Sequence, residues 1–445
     1  MINLKLAEKF FIIALTISVV LSFLCHPFIN TEYLSNFLVV FNSIVFMSLL
    51  ALGTVKNNKA IFLIVAFFCL RILVMYLDYY GKSFVSILHS GGDSERFYEW
   101  GLLISKDFSR MEELAYTKYT DFLGILYWII GDQRLFSQFL NVILGMWSIF
   151  VFLKILDLFK LKDSKKLFFL CLYGLYPQNI IFSAVLLRET LIQLFFVYSI
   201  LYFTRWLMLK NRINIYRTIL FVLLSALFHS GMLLSLLFYG FIFLFFDVKK
   251  VGFNFSFKKI AGLVLFCGLV GAFISFDNSI LSGKLAILKS FGVNESLGFV
   301  ERLDLRKAEP GGATYLRNFE INSLLDLVIL MPLKLVYFIF SPMPYDVRGL
   351  GDIAAILFNS SFFYYLVYTI VRSRKYIQKN VLKIYPKIFI FLVLIVSLGF
   401  AFGTENSAIA MRHRTKIFPA LLMVVIFIES IKQNGFSIWN DNKND

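Results

Sequence analysis

Charge is nearly absent from the long apolar runs of this chain and crowds at their ends. A bilayer core about 30 Å thick asks for roughly 20 apolar residues per helix, and the sequence supplies such runs repeatedly between Phe10 and Ile431. Hydrophobic residues make up 59% of the 445 positions and charged ones 16%, with a mean hydropathy of +0.76. That composition excludes a soluble domain of this length. The expected fold is all-α: a polytopic transmembrane bundle forming a single integral-membrane domain over residues 1–445, with no soluble domain attached.

A net charge of +16 could point to nucleic acid, but the Lys and Arg residues fall in short links between apolar runs, at 56–59, 154–166, 205–217, 247–259 and 372–387. Cytoplasmic loops carry such an excess, so topology explains the charge and no nucleic-acid partner is expected. Placing these links on one side demands an even number of crossings between them. The result is about twelve helices, near 10–29, 34–55, 60–77, 135–155, 167–183, 189–206, 214–229, 231–246, 258–276, 352–371, 384–402 and 416–431, with both termini cytoplasmic. The opening apolar run ends in Cys25-His26-Pro27-Phe28 without a small-residue cleavage pattern, which reads as a retained first helix. The four cysteines lie inside apolar runs without CxxC spacing, so neither a disulfide framework nor a zinc site is expected.

Two apolar segments resist this scheme. Phe122 to Ile130 is too short to cross, and Leu324 to Phe340 would put the 372–387 link on the wrong side. Both read as re-entrant or interfacial elements on the outer face, the second broken at Pro332. Half-spanning backbone is tolerated only where protein or an aqueous cavity surrounds it, so an outward-opening cavity is expected. The outer side then carries two long loops, 78–121 and 277–351.

Five polar constellations fall on that outer side. Gly91-Gly92-Asp93-Ser94-Glu95 sets two carboxylates after a flexible glycine pair, suited to holding a metal or taking a proton from a hydroxyl. The alternative is a solvated surface helix capped by Asp93 or Ser94. Arg188-Glu189, after Tyr173-Gly-Leu-Tyr-Pro-Gln178, opens an otherwise apolar helix, where each ion wants a partner of its own. His229, in Phe228-His229-Ser230-Gly231, has the chemistry of a general base or of a donor to a phosphate oxygen, or of a helix-end polar group.

The fourth constellation spans the late outer loop. Glu301 to Lys307 reads as solvated charge, whereas Arg317 and Arg348, flanking the 324–340 element, carry the planar fork suited to phosphate and carboxylate oxygens. The fifth is Arg412, His413, Arg414 and Lys416, four basic groups in five positions. At an outer boundary these oppose the positive-inside trend and so answer a local anion, for which a lipid diphosphate is the obvious choice. Trp100, Tyr315 and Tyr345 offer apolar ring faces for stacking on sugars.

The order of these parts resembles integral-membrane glycosyltransferases of the GT-C type and, within them, the Wzy-type polymerases of bacterial O-antigen and capsular repeat units. The resemblance rests on an early outer Asp-containing loop, Tyr176-Pro177 followed by Arg188-Glu189, the Phe228-His229-Ser230 turn, a large late outer loop and a final Arg412-x-Arg414-x-x-x-x-Pro419. It implies a GT-C-like bundle in the bacterial inner membrane that transfers a growing glycan from one undecaprenyl-diphosphate carrier to another carrier-linked repeat unit, without a cofactor. Membrane lipids and a chain-length regulator protein are the implied partners. Arg188, Arg317, Arg348, Arg412, His413, Arg414 and Lys416 would bind the lipid diphosphate; Asp93, Glu95, Glu189 and His229 are the catalytic candidates. An acidic motif in the first outer loop is more typical of GT-C enzymes that add single sugars from a polyprenyl-phosphate donor. That activity, with a divalent metal at Asp93 and Glu95, is the second expectation. A flippase or transporter is the third, although the internal repeats and midplane ions usual for transporters are not evident.

Overall fold

The computed structural model describes residues 3–84, 87, 90–111, 117–276, 314–316, 324–374, 384–404 and 406–434. Among these residues the chain is helical, with strand confined to one short hairpin. Seven helices are long and apolar enough to cross a membrane, or eight if one bent pair counts as a single span. The protein is a multi-pass, all-α membrane protein. It divides into two compact units, Met1–Leu201 and Tyr202–Asp445.

The first unit opens with α1 (Leu4–Cys25), α2 (Thr31–Ala51) and α3 (Asn58–Tyr80). Each starts behind an asparagine, Asn3, Asn30 and Asn57, whose side chain accepts a backbone N–H of the first turn. Those donors have no carbonyl within the helix, so a side-chain acceptor fixes where each helix begins. Two shorter helices follow, α4 (Asp93–Lys106) and α5 (Lys118–Ile130), packed closely on each other. Their approach depends on glycine. A Cβ on Gly124 would lie 2.3 Å from Ile104 Cγ2, and one on Gly101 would lie 3.0 Å from Leu123 Cβ. Helix α4 starts behind Gly92, after Gly91 at φ +100°, so neither Asp93 nor Ser94 is its cap as the sequence suggested. Both carboxylates, Asp93 and Glu95, sit instead in the first turn, where the helix dipole favours them.

Helix α6 (Arg134–Leu158) is the centre of this unit, with 78% of its apolar window buried against 22% for α1. The run expected to cross straight from 167 to 183 is instead two helices, α7 (Asp163–Gly174) and α8 (Pro177–Ala184), meeting at 51°. The physical reason is Pro177, which favours a new helix start and has no N–H to give the old one. A fully buried cation closes the break: Arg71 of α3 donates to Gly174 O at 3.3 Å and to Phe67 O at 3.0 Å. Helix α9 (Glu189–Leu209) runs on across the unit boundary.

The second unit contains α10 (Ile213–Phe228), a 3₁₀ turn at Ser230–Met232, α11 (Leu233–Phe245), the hairpin Phe246–Asp247 with Gly252–Phe253, and α12 (Phe257–Phe276). After the 277–313 stretch, which lies outside the described residues, come α13 (Leu324–Phe340), α14 (Leu350–Arg372), α15 (Ile384–Phe402) and α16 (Ser407–Asn434). Two boundaries differ from expectation. Helix α13 is continuous through Pro332, its local hydrogen-bond loss offset by packing on α15 and α16. Helix α16 starts at Ser407, nine residues before the expected 416, so the Arg412–Lys416 cluster lies inside a helix and not at its outer margin. One turn of α14, Ile356–Ser360, widens to π geometry and turns Asn359 and Ser360 inward.

Candidate functional site

In the first unit the link between α8 and α9, residues 185–188, is unwound within the protein, and α6 satisfies its carbonyls. Asn141 Nδ2 donates to Val185 O and Leu187 O at 3.0 Å each, and Gln138 Nε2 reaches Ala184 O at 3.4 Å. These two amides are three residues apart and share a helix face. The link delivers Arg188 and Glu189 to the N-terminal end of α9, where the dipole favours the carboxylate. Glu189 is buried, with its charge acting on the buried Tyr119, whereas the Arg188 guanidinium lies 5.9 Å from the Phe97 ring of α4.

Glu95 is held by Arg134 through both carboxylate oxygens, one of them at 2.6 Å, and also by Lys82. These cations hold its carboxyl down to about 2, with the Arg134 hydrogen bonds the largest cause and burial opposing. A carboxylate so stabilised is a poor proton acceptor at neutral pH. The same Arg134 guanidinium stands 4.9 Å from the Tyr98 ring, whose hydroxyl donates to Asp132 at 2.7 Å. Burial, with Asp132 adding to it, pushes the Tyr98 hydroxyl's pKa up. Trp100 lies under the Arg96 guanidinium at 5.8 Å. No group of three or more His, Cys, Asp or Glu side chains is placed to hold a metal among the described residues.

The second unit gathers the basic residues. His229 ends α10, and its Nδ1 accepts the Gly231 N–H at 3.1 Å. His413 Nδ1 lies 2.9 Å from Lys416 Nζ, one turn along α16. The two imidazoles meet edge to face at 5.3 Å, and Phe400 of α15 closes the group, stacked on His413 at 4.6 Å and lying 5.2 Å from Lys416 Nζ. His413 is 6% exposed and Lys416 is fully buried. A side chain at position 231 would collide with this group: its Cβ would stand 2.8 Å from the Phe400 ring.

These contacts fix the proton on one ring. A backbone N–H only donates, so His229 Nδ1 must keep its lone pair, and the ring hydrogen sits on Nε2. His229 is therefore an Nε2–H donor. At His413 the roles in the Nδ1–Lys416 contact depend on the tautomer. His229 cannot take a proton without breaking its Gly231 bond, which favours the donor reading of this residue over the general base.

Arg414, also fully buried, points elsewhere on α16. It donates to Ile339 O at 2.9 Å, to Ser341 O and to Ser360 Oγ at 3.4 Å, gathering the C-terminal end of α13 and the π turn of α14. Lys334 does the same for α15, donating to Phe402 O at 3.2 Å. Both cations therefore satisfy helix-end carbonyls. This revises the expectation that the whole 412–416 cluster meets a ligand: His413 and Lys416 share the His229 group, and Arg414 is a clamp. Tyr315 is 3% exposed, stacked on Tyr337 at 5.1 Å with its hydroxyl donating to Thr404 O at 2.8 Å, so its ring serves packing and not an open sugar platform. Tyr345 is 73% exposed. Arg348 reaches Thr314 O at 3.3 Å, and Arg412 is half-buried on α16. Arg317, like Glu301 to Lys307, lies outside the described residues.

Sequence reading missed Arg71, Asp78, Gln138, Asn141 and Lys334 as organising residues. Their common signal was available: a charge or carboxamide within an apolar run, which in a membrane is costly enough to demand a specific partner. Comparison with known proteins finds no matching family model, no similar curated protein and no similar solved structure.

Proposed function

We propose that this chain is an integral-membrane glycosyltransferase that polymerises lipid-diphosphate-linked oligosaccharide repeat units at the outer face of the bacterial inner membrane, on a GT-C-like bundle of twelve crossings. The observation that carries the reading is the buried His229–His413–Lys416 group. It combines two imidazoles and a lysine amine, with His229 at the end of α10 and His413 and Lys416 within α16, an arrangement rich in donors and suited to oxygens of an anion. In glycosyl transfer from a lipid diphosphate, the bond between the anomeric carbon and the diphosphate oxygen breaks while a new bond to an acceptor hydroxyl forms. The departing diphosphate gains negative charge, and donors fixed in a low-dielectric site stabilise that charge most effectively. No nucleotide site is needed. The acceptor hydroxyl gives up its proton to a base as the new bond forms. Glu95, held by two cations, is better suited to anchoring α4.

That anchoring also weighs against the single-sugar reading, because a metal at Asp93 and Glu95 would have to displace Arg134 and Lys82. Undecaprenyl-diphosphate glycan, surrounding lipid and a chain-length regulator are the partners this reading implies. The test is the size pattern of surface polysaccharide from the source strain after deletion and restoration of the gene. Loss of the ladder with one repeat unit kept on its anchor is the expected result. A truncated or missing unit would mean single-sugar transfer or export, and an unchanged pattern would remove surface-glycan assembly altogether.

A further inference from the structure

Near the outer end of α3, Asp78 is 1% exposed and accepts a 2.5 Å hydrogen bond from Gln138 Nε2 on α6, itself fully buried. That bond uses Asp78 Oδ2 and leaves two buried acceptors, Asp78 Oδ1 and Gln138 Oε1, without a partner. One turn earlier on α6, Arg134 binds Glu95 with its terminal nitrogens, interacts electrostatically with Asp78, and leaves its buried Nε–H without an acceptor. Flipping the Gln138 amide does not help, because its nitrogen already faces two acceptors, Asp78 Oδ2 and Ala184 O. Buried polar atoms left without a partner are costly, so three of them in one place ask for an occupant.

We propose that Asp78, Gln138 and Arg134 form a binding site for a neutral hydroxyl group, either a resident water or a hydroxyl of a polyol. The mixture of donor and acceptors selects this chemistry. A metal cation would meet the Arg134 Nε–H, and an anion would meet two acceptor oxygens; only a group that both donates and accepts matches all three. Charge points the same way. Asp78 and Glu95 already face Arg134 and Lys82, so a neutral ligand adds no unpaired charge to a buried place. A water donates to both oxygens and accepts from Nε, within the two to four partners that buried waters use. Two adjacent sugar hydroxyls would do the same. The proposal does not depend on the glycosyl-transfer reading.

The test is cryo-electron microscopy of the full chain in lipid nanodiscs, at a resolution that shows waters, without additive and then with saturating methyl glucoside. A peak within hydrogen-bonding distance of all three atoms supports the site. If it stays a single peak in both samples the occupant is water, and if ring-shaped density replaces it the occupant is a sugar hydroxyl. No peak in either sample overturns the proposal. Gln138→Met removes one acceptor and should displace or abolish the peak with the helices unmoved; an undisturbed peak would also overturn the assignment.

Discussion

The state of His229 follows from one backbone hydrogen bond, and it separates two roles by substitution. An Asn side chain places its oxygen near the imidazole Nδ1 position, whereas Gln reaches the Nε2 position. His229→Asn should therefore keep the Gly231 bond and melt close to the native protein, yet lose about 10²-fold or more in transfer rate, the usual cost of one donor to a developing oxyanion. Wild-type rate in that variant would remove His229 from the chemistry. Arg414 makes the opposite prediction. Its hydrogen bonds to Ile339 O, Ser341 O and Ser360 Oγ are structural, and charge-assisted bonds of this kind contribute about 1.5–3 kcal/mol each. Arg414→Met should lower the melting temperature in detergent markedly, with Arg414→Lys intermediate. A variant that melts normally but has lost lipid-diphosphate binding would return Arg414 to the ligand.

At the scale of elements, the α4–α5 pair rests on two features with separate tests. Gly124→Ala inserts a methyl 2.3 Å from Ile104 Cγ2, and overpacking of this kind costs about 1–3 kcal/mol. Proteolysis between the two helices should therefore speed up. Glu95 gives a pH dependence of defined sign. Its carboxyl is held below its ordinary value, to about 2, so its contribution is complete above the unfolded value near 4.5 and fades as pH falls toward 2. Hydrogen exchange of α4 should rise across that window, and Glu95→Gln should flatten the response. The elements themselves were largely legible, because each of the twelve apolar runs forms helix. What was not legible was the angle between α7 and α8, the continuity of α13 through Pro332 and the early start of α16. Each depends on packing partners distant in sequence, such as Arg71 on Gly174 O, which no local pattern encodes.

For the whole molecule, the question is how many of the helices cross. Among the described residues, length and apolarity alone pass seven, or eight with the bent pair, whereas the distribution of Lys and Arg asks for twelve with both termini inside. Part of the difference lies in helices that charge or shortness removes from the first count. Helix α16 carries Arg412, His413, Arg414 and Lys416, and α10 and α11 are short. For α16 burial removes the objection, because Arg414 and Lys416 face protein and not lipid, so their charge does not forbid a crossing. A decisive pair of positions is Lys162, in a basic link, and the exposed Tyr345, beyond α13. In a chain lacking its four native cysteines, of which Cys69 and Cys267 are exposed, a cysteine at Tyr345 should react with an impermeant maleimide in intact cells, and one at Lys162 only after permeabilisation. Twelve crossings require both results. Labelling of both from outside would place an even number of crossings between them, against the five of the twelve-helix scheme, and would overturn the outward placement of the His229–His413–Lys416 group.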